Sequence, residues 1–140
     1  MKNYNPKKVS MIIGAQAASG LADGTFITVE YDEDRFTKKT GADGEVTRVQ
    51  NANESANIKL ILMQTSNFND YLSALSLADR LTGLGAVPVL IRDQLGTTLF
   101  AAQNCWVRKT PAGEFGKEVG TREWILDTDA ADLFFGGASQ

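Results

Sequence analysis

The stretch at residues 31–65 constrains the fold most, because a long polar segment separates two strand-like arms. It reads YDEDRFTKKTGADGEVTRVQNANESANIKLILMQT, with Gly41 and the Asp43-Gly44 pair near its middle. Gly and Asp-Gly pairs favour turns between paired strands. A turn region this long and charged has too little apolar surface to pack back onto its own domain. We therefore predict a long protruding hairpin over about residues 32–57 that reaches another molecule.

The return arm of this hairpin has the same polar character. Val46, Arg48 and Gln50 alternate with Thr47 and Val49, so polar side chains fall on both faces of the strand. Such a strand does not line a core; it extends into solvent or pairs with another chain. A solvated loop is the alternative interpretation of the charged run at residues 32–44.

The other segments predict a mainly β protein. Apolar alternation bounded by turn residues indicates strands at residues 9–15, 26–31, 56–65, 87–92, 97–109 and 119–128. Pro88 places its strand at a sheet edge or at a strand start. The spacing of turn signals is typical of an antiparallel β-barrel or sandwich.

One helix is predicted, over about residues 67–82. Ser66 or Asn67 is its expected N-cap, and Gly83 ends the pattern. Its apolar positions fall at helical spacing, which predicts that the helix covers the core of the barrel or sandwich. These positions are Phe68, Tyr71, Leu72, Leu75 and Ala78, with Leu81 close to the same stripe.

A chain of 140 residues fits one domain. Within it, residues 1–8, 32–57 and 129–140 are expected to serve as assembly extensions. The tail includes Phe134 and Phe135, and large apolar residues near a terminus are covered either by the domain's own sheet or by a neighbouring subunit. The short apolar piece at residues 9–15 does not make a signal sequence, so synthesis in the cytoplasm is expected.

The composition disfavours most catalytic chemistry. The chain has no histidine and one cysteine, Cys105, which we expect to be buried packing. The carboxylates at residues 32–34, and Asp127, Asp129 and Asp132, lack the spacing of a known metal loop, so no metal or other cofactor is predicted. A net charge of −3 disfavours tight nucleic-acid binding.

In the order of its elements the chain resembles the tail tube proteins of contractile-tailed bacteriophages. The resemblance rests on the hairpin ending in GADGEVTRVQNANESANIKLILMQTS, on the helix opening with SNFNDYLSAL, and on the β meander that follows. It covers nearly the whole chain. It implies a non-enzymatic virion protein, assembled in the host cytoplasm, whose hexameric rings stack into a tube that conducts DNA without specific binding.

The resemblance also implies partners, namely further copies of the chain and the sheath, baseplate and tail terminator proteins, with no membrane. A tube protein of a contractile injection or secretion system looks similar and remains an alternative. A monomeric β-barrel that binds a ligand or a peptide is a second alternative, and an enzyme with carboxylate chemistry is a third. The expected inter-subunit contacts are Arg35, Lys38, Lys39, Glu45, Arg48, Phe134 and Phe135.

Overall fold

The structure is a computed structural model that describes residues 1–137. Within this range a 3-10 turn at Pro6–Lys8 is followed by strands and one helix. In chain order these are β1 (Val9–Ile13), β2 (Gln16–Ala17), β3 (Ile27–Tyr31), β4 (Phe36–Thr40), β5 (Val46–Gln50), β6 (Ser55–Met63), α1 (Phe68–Thr82), β7 (Val87–Asp93), β8 (Leu99–Lys109) and β9 (Thr121–Phe134).

Seven of the strands form one antiparallel sheet in the order β2-β1-β7-β8-β9-β6-β3, and β4 and β5 form a separate two-stranded sheet. The predicted fold class is confirmed in its sandwich form, because the sheet does not close into a barrel. β9 is the last strand in sequence, yet it lies between β8 and β6. It therefore joins the two parts of the sheet.

The loop after β2 links β1 and β6, which lie next to opposite ends of the sheet. The backbone N–H of Ala18 donates to the carbonyl of Met11 on β1, and the N–H of Met63 on β6 donates to the carbonyl of Gly20, both at 2.8 Å. Gly20 has a φ of +64°, and a Cβ there would lie 2.6 Å from the Cβ of Ser66. Glycine is therefore required where the loop passes the start of the helix.

The core lies on one face of the sheet. On β6 the inward positions are Ala56, Ile58, Leu60 and Leu62, all fully buried. Full burial of a leucine or isoleucine side chain, as at Ile58, Leu60 and Leu62, contributes about 1.5–3 kcal/mol. The core is completed by Met11, Ile13, Phe68, Leu72, Val89, Ile91, Phe100, Ala102, Cys105, Trp124, Leu126 and Ala131.

The predicted helix is confirmed, but only its first half covers the core. Phe68 and Leu72 are buried, and the hydroxyl of Tyr71 donates to the carbonyl of Ile13 at 2.9 Å. The expectation for the last two turns was wrong, because Ala78 is exposed and Leu81 is 71% exposed. Helical spacing shows which residues share a face, whereas the extent of the sheet beneath them decides how many are buried.

Both ends of the helix follow their sequence signals. The hydroxyl of Ser66 accepts a hydrogen bond from the N–H of Phe68 at 3.2 Å, whereas Asn67 makes no capping bond with its side chain. Gly83 adopts the left-handed conformation, with φ 74°, and its N–H donates to the carbonyl of Asp79.

β9 runs past its predicted end at residue 128 to Phe134. Its outward Asp127 and inward Thr128 hid this continuity, because Thr128 is a polar residue at a core position. In this buried position its hydroxyl accepts a hydrogen bond from the N–H of Ala56 at 3.2 Å. The first part of the predicted tail extension is thus a sheet strand, and residues 138–140 lie outside the described residues.

Candidate assembly interface

The predicted hairpin is present as β4 and β5, and all ten of its strand residues are exposed. At its tip the N–H of Gly41 donates to the carbonyl of Glu45 at 2.7 Å, and the N–H of Glu45 donates to a carboxylate oxygen of Asp43 at 3.0 Å. Gly44 supplies a φ of +89°, which the turn requires. An isolated two-stranded hairpin is at best marginally stable in water.

The two faces of the hairpin differ in chemistry. Lys38 lies directly opposite Arg48, so two cations share one face, and the guanidinium carbon of Arg48 lies 4.2 Å from the ring centroid of Phe36. Lys39 lies opposite Thr47 and therefore points to the other face. Like charges directly opposite each other destabilise a strand pair. The face that carries Phe36, Lys38 and Arg48 is named the cationic face.

The base of the hairpin is fixed to the main sheet by polar side chains. The carboxylate of Asp32 accepts from the hydroxyl of Ser55 at 2.7 Å and from the amide of Asn57 at 2.8 Å. These two hydrogen bonds hold the pKa of Asp32 below its usual value. On the other arm the amide of Asn51 donates to Glu33 at 2.8 Å. The asparagine-rich run therefore sets the direction in which the hairpin leaves the sheet.

Arg35 is also engaged within its own chain. Its guanidinium forms a salt bridge with Glu54 and lies 5.2 Å from the ring centroid of Tyr31. The hydroxyl of Tyr31 in turn donates to the carbonyl of Ala131 at 3.0 Å. Arg35 therefore links the base of the hairpin to β3 and β9.

A pocket of about 180 Å³ lies beside the base of the hairpin. It is named the base pocket, and it brings together two of the predicted contact residues, Arg35 and Phe134. The remaining lining residues are Tyr31, Leu99, Asp132 and Leu133. Phe134 is 62% exposed and the following Phe135 is 67% exposed, so their own sheet leaves both rings largely uncovered.

The outward face of the sheet next to this pocket exposes several large apolar side chains among polar ones. Strand register places Ile12, Leu90, Ala101 and Asp132 in one row across β1, β7, β8 and β9. The adjacent row contains Ser10, Arg92, Leu99 and Phe134. The large apolar members of both rows are more than one third exposed. An apolar patch of this kind marks an interaction surface more often than a simple solvent boundary.

The chain matches the family described as "Bacteriophage PhiTE tail tube protein" over residues 9–136. This match covers nearly all of the sequence. The chain belongs to this tail tube family. The resemblance identified from the sequence is therefore confirmed, and the protein is a structural component of the virion tail.

Named relatives agree with this assignment. The tail tube protein is 32% identical over 142 residues to "Structural protein ORF10" of Pseudomonas phage KPP10, covering 96% of the chain and 82% of the relative. The tube terminating cap of the anti-feeding prophage has a similar fold, with a TM-score of 0.65 at 10% identity over 96% of this chain and 92% of that one. A chain of the PVC sheath-tube complex, an extracellular contractile injection system, gives a TM-score of 0.58 at 13% identity over 94% and 91% of the two chains.

A second electrostatic feature of this tail tube protein lies next to the hairpin base, where Asp127 on β9 is directly opposite Asn57 on β6. Asp127 has a buried carboxylate oxygen with no hydrogen-bond partner, and the Nε of Arg108 lies 3.6 Å from it. Burial raises the pKa of Asp127, Arg108 lowers it, and the charge of Asp32 raises it further. With one oxygen buried and the guanidinium of Arg108 no closer than 3.6 Å, the charge of this carboxylate is only partly compensated.

The described residues of the tail tube protein contain no group of three or more acidic, Cys or His side chains that could hold a metal. A groove of about 440 Å³ beside the Pro6–Lys8 turn is lined mainly by apolar and small residues, with Lys7 and Ser19 as its polar side chains. Within residues 1–137 there is also no helix with the length and hydropathy needed to span a membrane.

Sequence reasoning missed part of this interface in the tail tube protein. Leu99 and Asp132 line the base pocket but were not predicted as contacts. The sequence predicts Asp132 only as a surface carboxylate. Apolar residues at outward strand positions could have indicated this surface. The strand register is needed to know which positions face outward.

Proposed function

We propose that copies of this tail tube protein form hexameric rings, and that the rings stack into a hollow tube through which DNA passes during ejection. The protruding hairpin carries this proposal. All ten strand residues of β4 and β5 are exposed, although they include Phe36, Val46 and Val49. A marginal hairpin that is held rigidly at its base is suited to gain its stabilising contacts from a neighbouring copy.

Edge strands support the closure of a ring. β3 is at one end of the main sheet and the two-residue β2, next to β1, is at the other. Exposed edges offer unpaired N–H and C=O groups to another chain. When the two edges of one copy differ, pairing is heterologous and closes into a ring if the rotation is suitable. The hexameric number rests on the resemblance to phage tube proteins.

Assembly extensions are proposed to join one ring to the next. They are residues 1–8, the hairpin at 32–57 and the end of the predicted tail, from the exposed Phe134 onward. The contacts expected on them are Arg35, Lys38, Lys39, Glu45, Arg48, Phe134 and Phe135. Arg35 also has an intrachain role, since it pairs with Glu54, so it would act by positioning the hairpin as well as by direct contact.

Further partners follow from the assembly. We expect sheath, baseplate and tail terminator proteins to bind the tube, and the similarity to chains from a sheath-tube complex and from a tube terminating cap supports this expectation. A net charge of −3 favours the passage of DNA without tight binding. The protein is expected to act by assembly and not by catalysis.

A tube protein of a contractile injection system is the second candidate function. The structural similarity to the sheath-tube chain favours it, although at 13% identity this likeness shows the fold alone. Particles isolated from producing cells would separate the two functions, because a phage tail joins a DNA-filled head and an injection system does not.

Deletion of residues 38–43 tests the proposal. The shortened protein should stay folded and soluble but no longer form tubes, as seen by negative-stain electron microscopy and sedimentation. Deletion of residues 112–117, an equally long piece of a mostly exposed loop, is the matched control and should leave tube formation intact. Tubes of normal length from the 38–43 deletion would overturn the hairpin's role. A wild-type protein that stays monomeric at high concentration would instead support a ligand-binding module.

A further inference from the structure

The cationic face of the hairpin carries charge that its own chain leaves uncompensated. Lys38 and Arg48 are directly opposed, and among the described residues neither forms a salt bridge. Arg48 stacks over Phe36, which covers one surface of the guanidinium and leaves its N–H edge free to donate. Such a pair is costly alone but favourable when a carboxylate approaches it.

The base pocket offers the opposite chemistry. Its walls include Leu99, Leu133 and the exposed ring of Phe134. Its two charged residues are Arg35 and Asp132, and the charge of Arg35 is already balanced by Glu54. Asp132 is exposed, and its carboxylate has no hydrogen-bond or ion-pair partner within residues 1–137. The base pocket therefore presents one unpaired carboxylate next to apolar walls.

A hairpin does not reach the base pocket of its own chain through this face. β4 and β5 form a separate sheet from the main one, and the side chains of all their residues remain exposed. The hydrogen bonds of Asp32 and Asn51 fix the arms at the point where they leave the sheet. No residue of β4 or β5 lines the base pocket of its own chain, so both surfaces are free to meet between different copies.

We propose that the cationic face of one copy binds the base pocket of a copy in the next ring, where Asp132 accepts from Lys38 and Arg48. Phe36 then lies against the apolar walls that include Leu99 and Phe134. This inference rests on the stacking proposed above and adds its acceptor surface. Because the hairpin and the pocket are different surfaces of one chain, each ring would contribute its hairpins to one neighbouring ring and its pockets to the other.

Paired charge reversals test this contact. Lys38→Glu should lower the sedimentable tube fraction by about tenfold or more, because a like charge then faces Asp132. Lys39→Glu is the matched control, since it makes the same change on the adjacent residue but on the opposite face, and it should assemble like the wild type. Asp132→Lys should fail alone for the same reason as Lys38→Glu. In both failing variants, size-exclusion chromatography should still show the wild-type ring.

An equal mixture of the two failing variants is the decisive test, and the recovery of tubes is its measurement. Rings of Lys38→Glu and rings of Asp132→Lys each repel their own kind, but in an equal mixture every hairpin meets a pocket of opposite charge. The mixture should regain tubes, and so should a chain that carries both substitutions. Equal loss from Lys38→Glu and Lys39→Glu, or a mixture that remains as rings, would overturn this inference. Failure of the wild type to form tubes would overturn the proposed function itself.

Discussion

The indole N–H of Trp124 on β9 donates a hydrogen bond of 2.9 Å to the side-chain oxygen of Asn69 on α1. Both residues are buried, Trp124 at 2% and Asn69 at 8% exposure. The amide nitrogen of Asn69 donates to the carbonyls of Met63 and Ser66, at 3.0 and 3.1 Å. One polar side chain therefore fixes the start of the helix and its position over the sheet.

Asn69→Ala should destabilise the protein by roughly 2–4 kcal/mol, because the indole N–H and two carbonyls lose their partner in a buried place. Urea denaturation followed by tryptophan fluorescence measures the change. Asn67→Ala is the control, since Asn67 is exposed and makes no capping bond with its side chain. An Asn69→Ala variant as stable as the control would show that water or a shifted helix replaces these bonds.

Two leucines of the helix should differ sharply in their effect on stability. Leu72→Ala leaves a cavity at a fully buried site and should cost roughly 2–5 kcal/mol, whereas Leu81→Ala, at 71% exposure, should change the free energy of unfolding by less than about 0.5 kcal/mol. Denaturant titration of both variants measures this. A large loss from Leu81→Ala in the dispersed protein would mean that the last helical turn is covered.

Asp127 should make the fold less stable as the pH rises. Its folded pKa is raised above the usual 3.8, so the folded state binds the proton more tightly than the unfolded state does. The stabilisation is present below pH 3.8 and is lost as the pH rises through the folded pKa. The free energy of unfolding of Asp127→Asn, relative to wild type, should therefore increase across this window.

Equilibrium unfolding at a series of pH values, at protein concentrations too low for assembly, measures this difference. Arg108→Gln should steepen the loss in the otherwise wild-type chain, because Arg108 is the cation that partly offsets the burial of Asp127. A constant difference between Asp127→Asn and wild type at every pH would refute the effect.

Cys105 should be unreactive in the folded protein. It is 1% exposed, and burial raises the pKa of its thiol from 9.0 to about 12, so little thiolate exists near neutral pH. A thiol reagent should label it only as fast as the protein opens, and rapidly in denaturant. Cys105→Ala should lose stability by packing alone, and rapid labelling of the native protein would contradict the prediction.

Much of the fold could be predicted from the sequence, because alternation and turn residues are local signals. The strands at β3, β6 and β7 and the helix end at Gly83 follow directly from such patterns. The hairpin was identified from a run that cannot be buried. These signals depend only on residues close together in the sequence. They can therefore be interpreted without knowing the order of the strands in the sheet.

The candidate interface was predictable only in part. Lys38 and Arg48 were predicted as contacts, but their position on one face, like the pairing of Arg35 with Glu54, depends on the register of the two arms. The approach of Phe134 to Arg35 depends on β9 lying next to β8 and running six residues further than its pattern indicates. Contacts between distant segments are set by topology, which single-sequence periodicity does not contain.

The place of β9 in the sheet has a consequence for synthesis on the ribosome. Until its residues 121–134 emerge, the strands already made fall into two groups, β2-β1-β7-β8 and β6-β3, which are linked through the loop after β2 and each have an open edge where β9 will lie. A prematurely terminated product can complete neither group. Only a fully translated chain would then present the finished subunit, so fragments would be left out of a growing polymer.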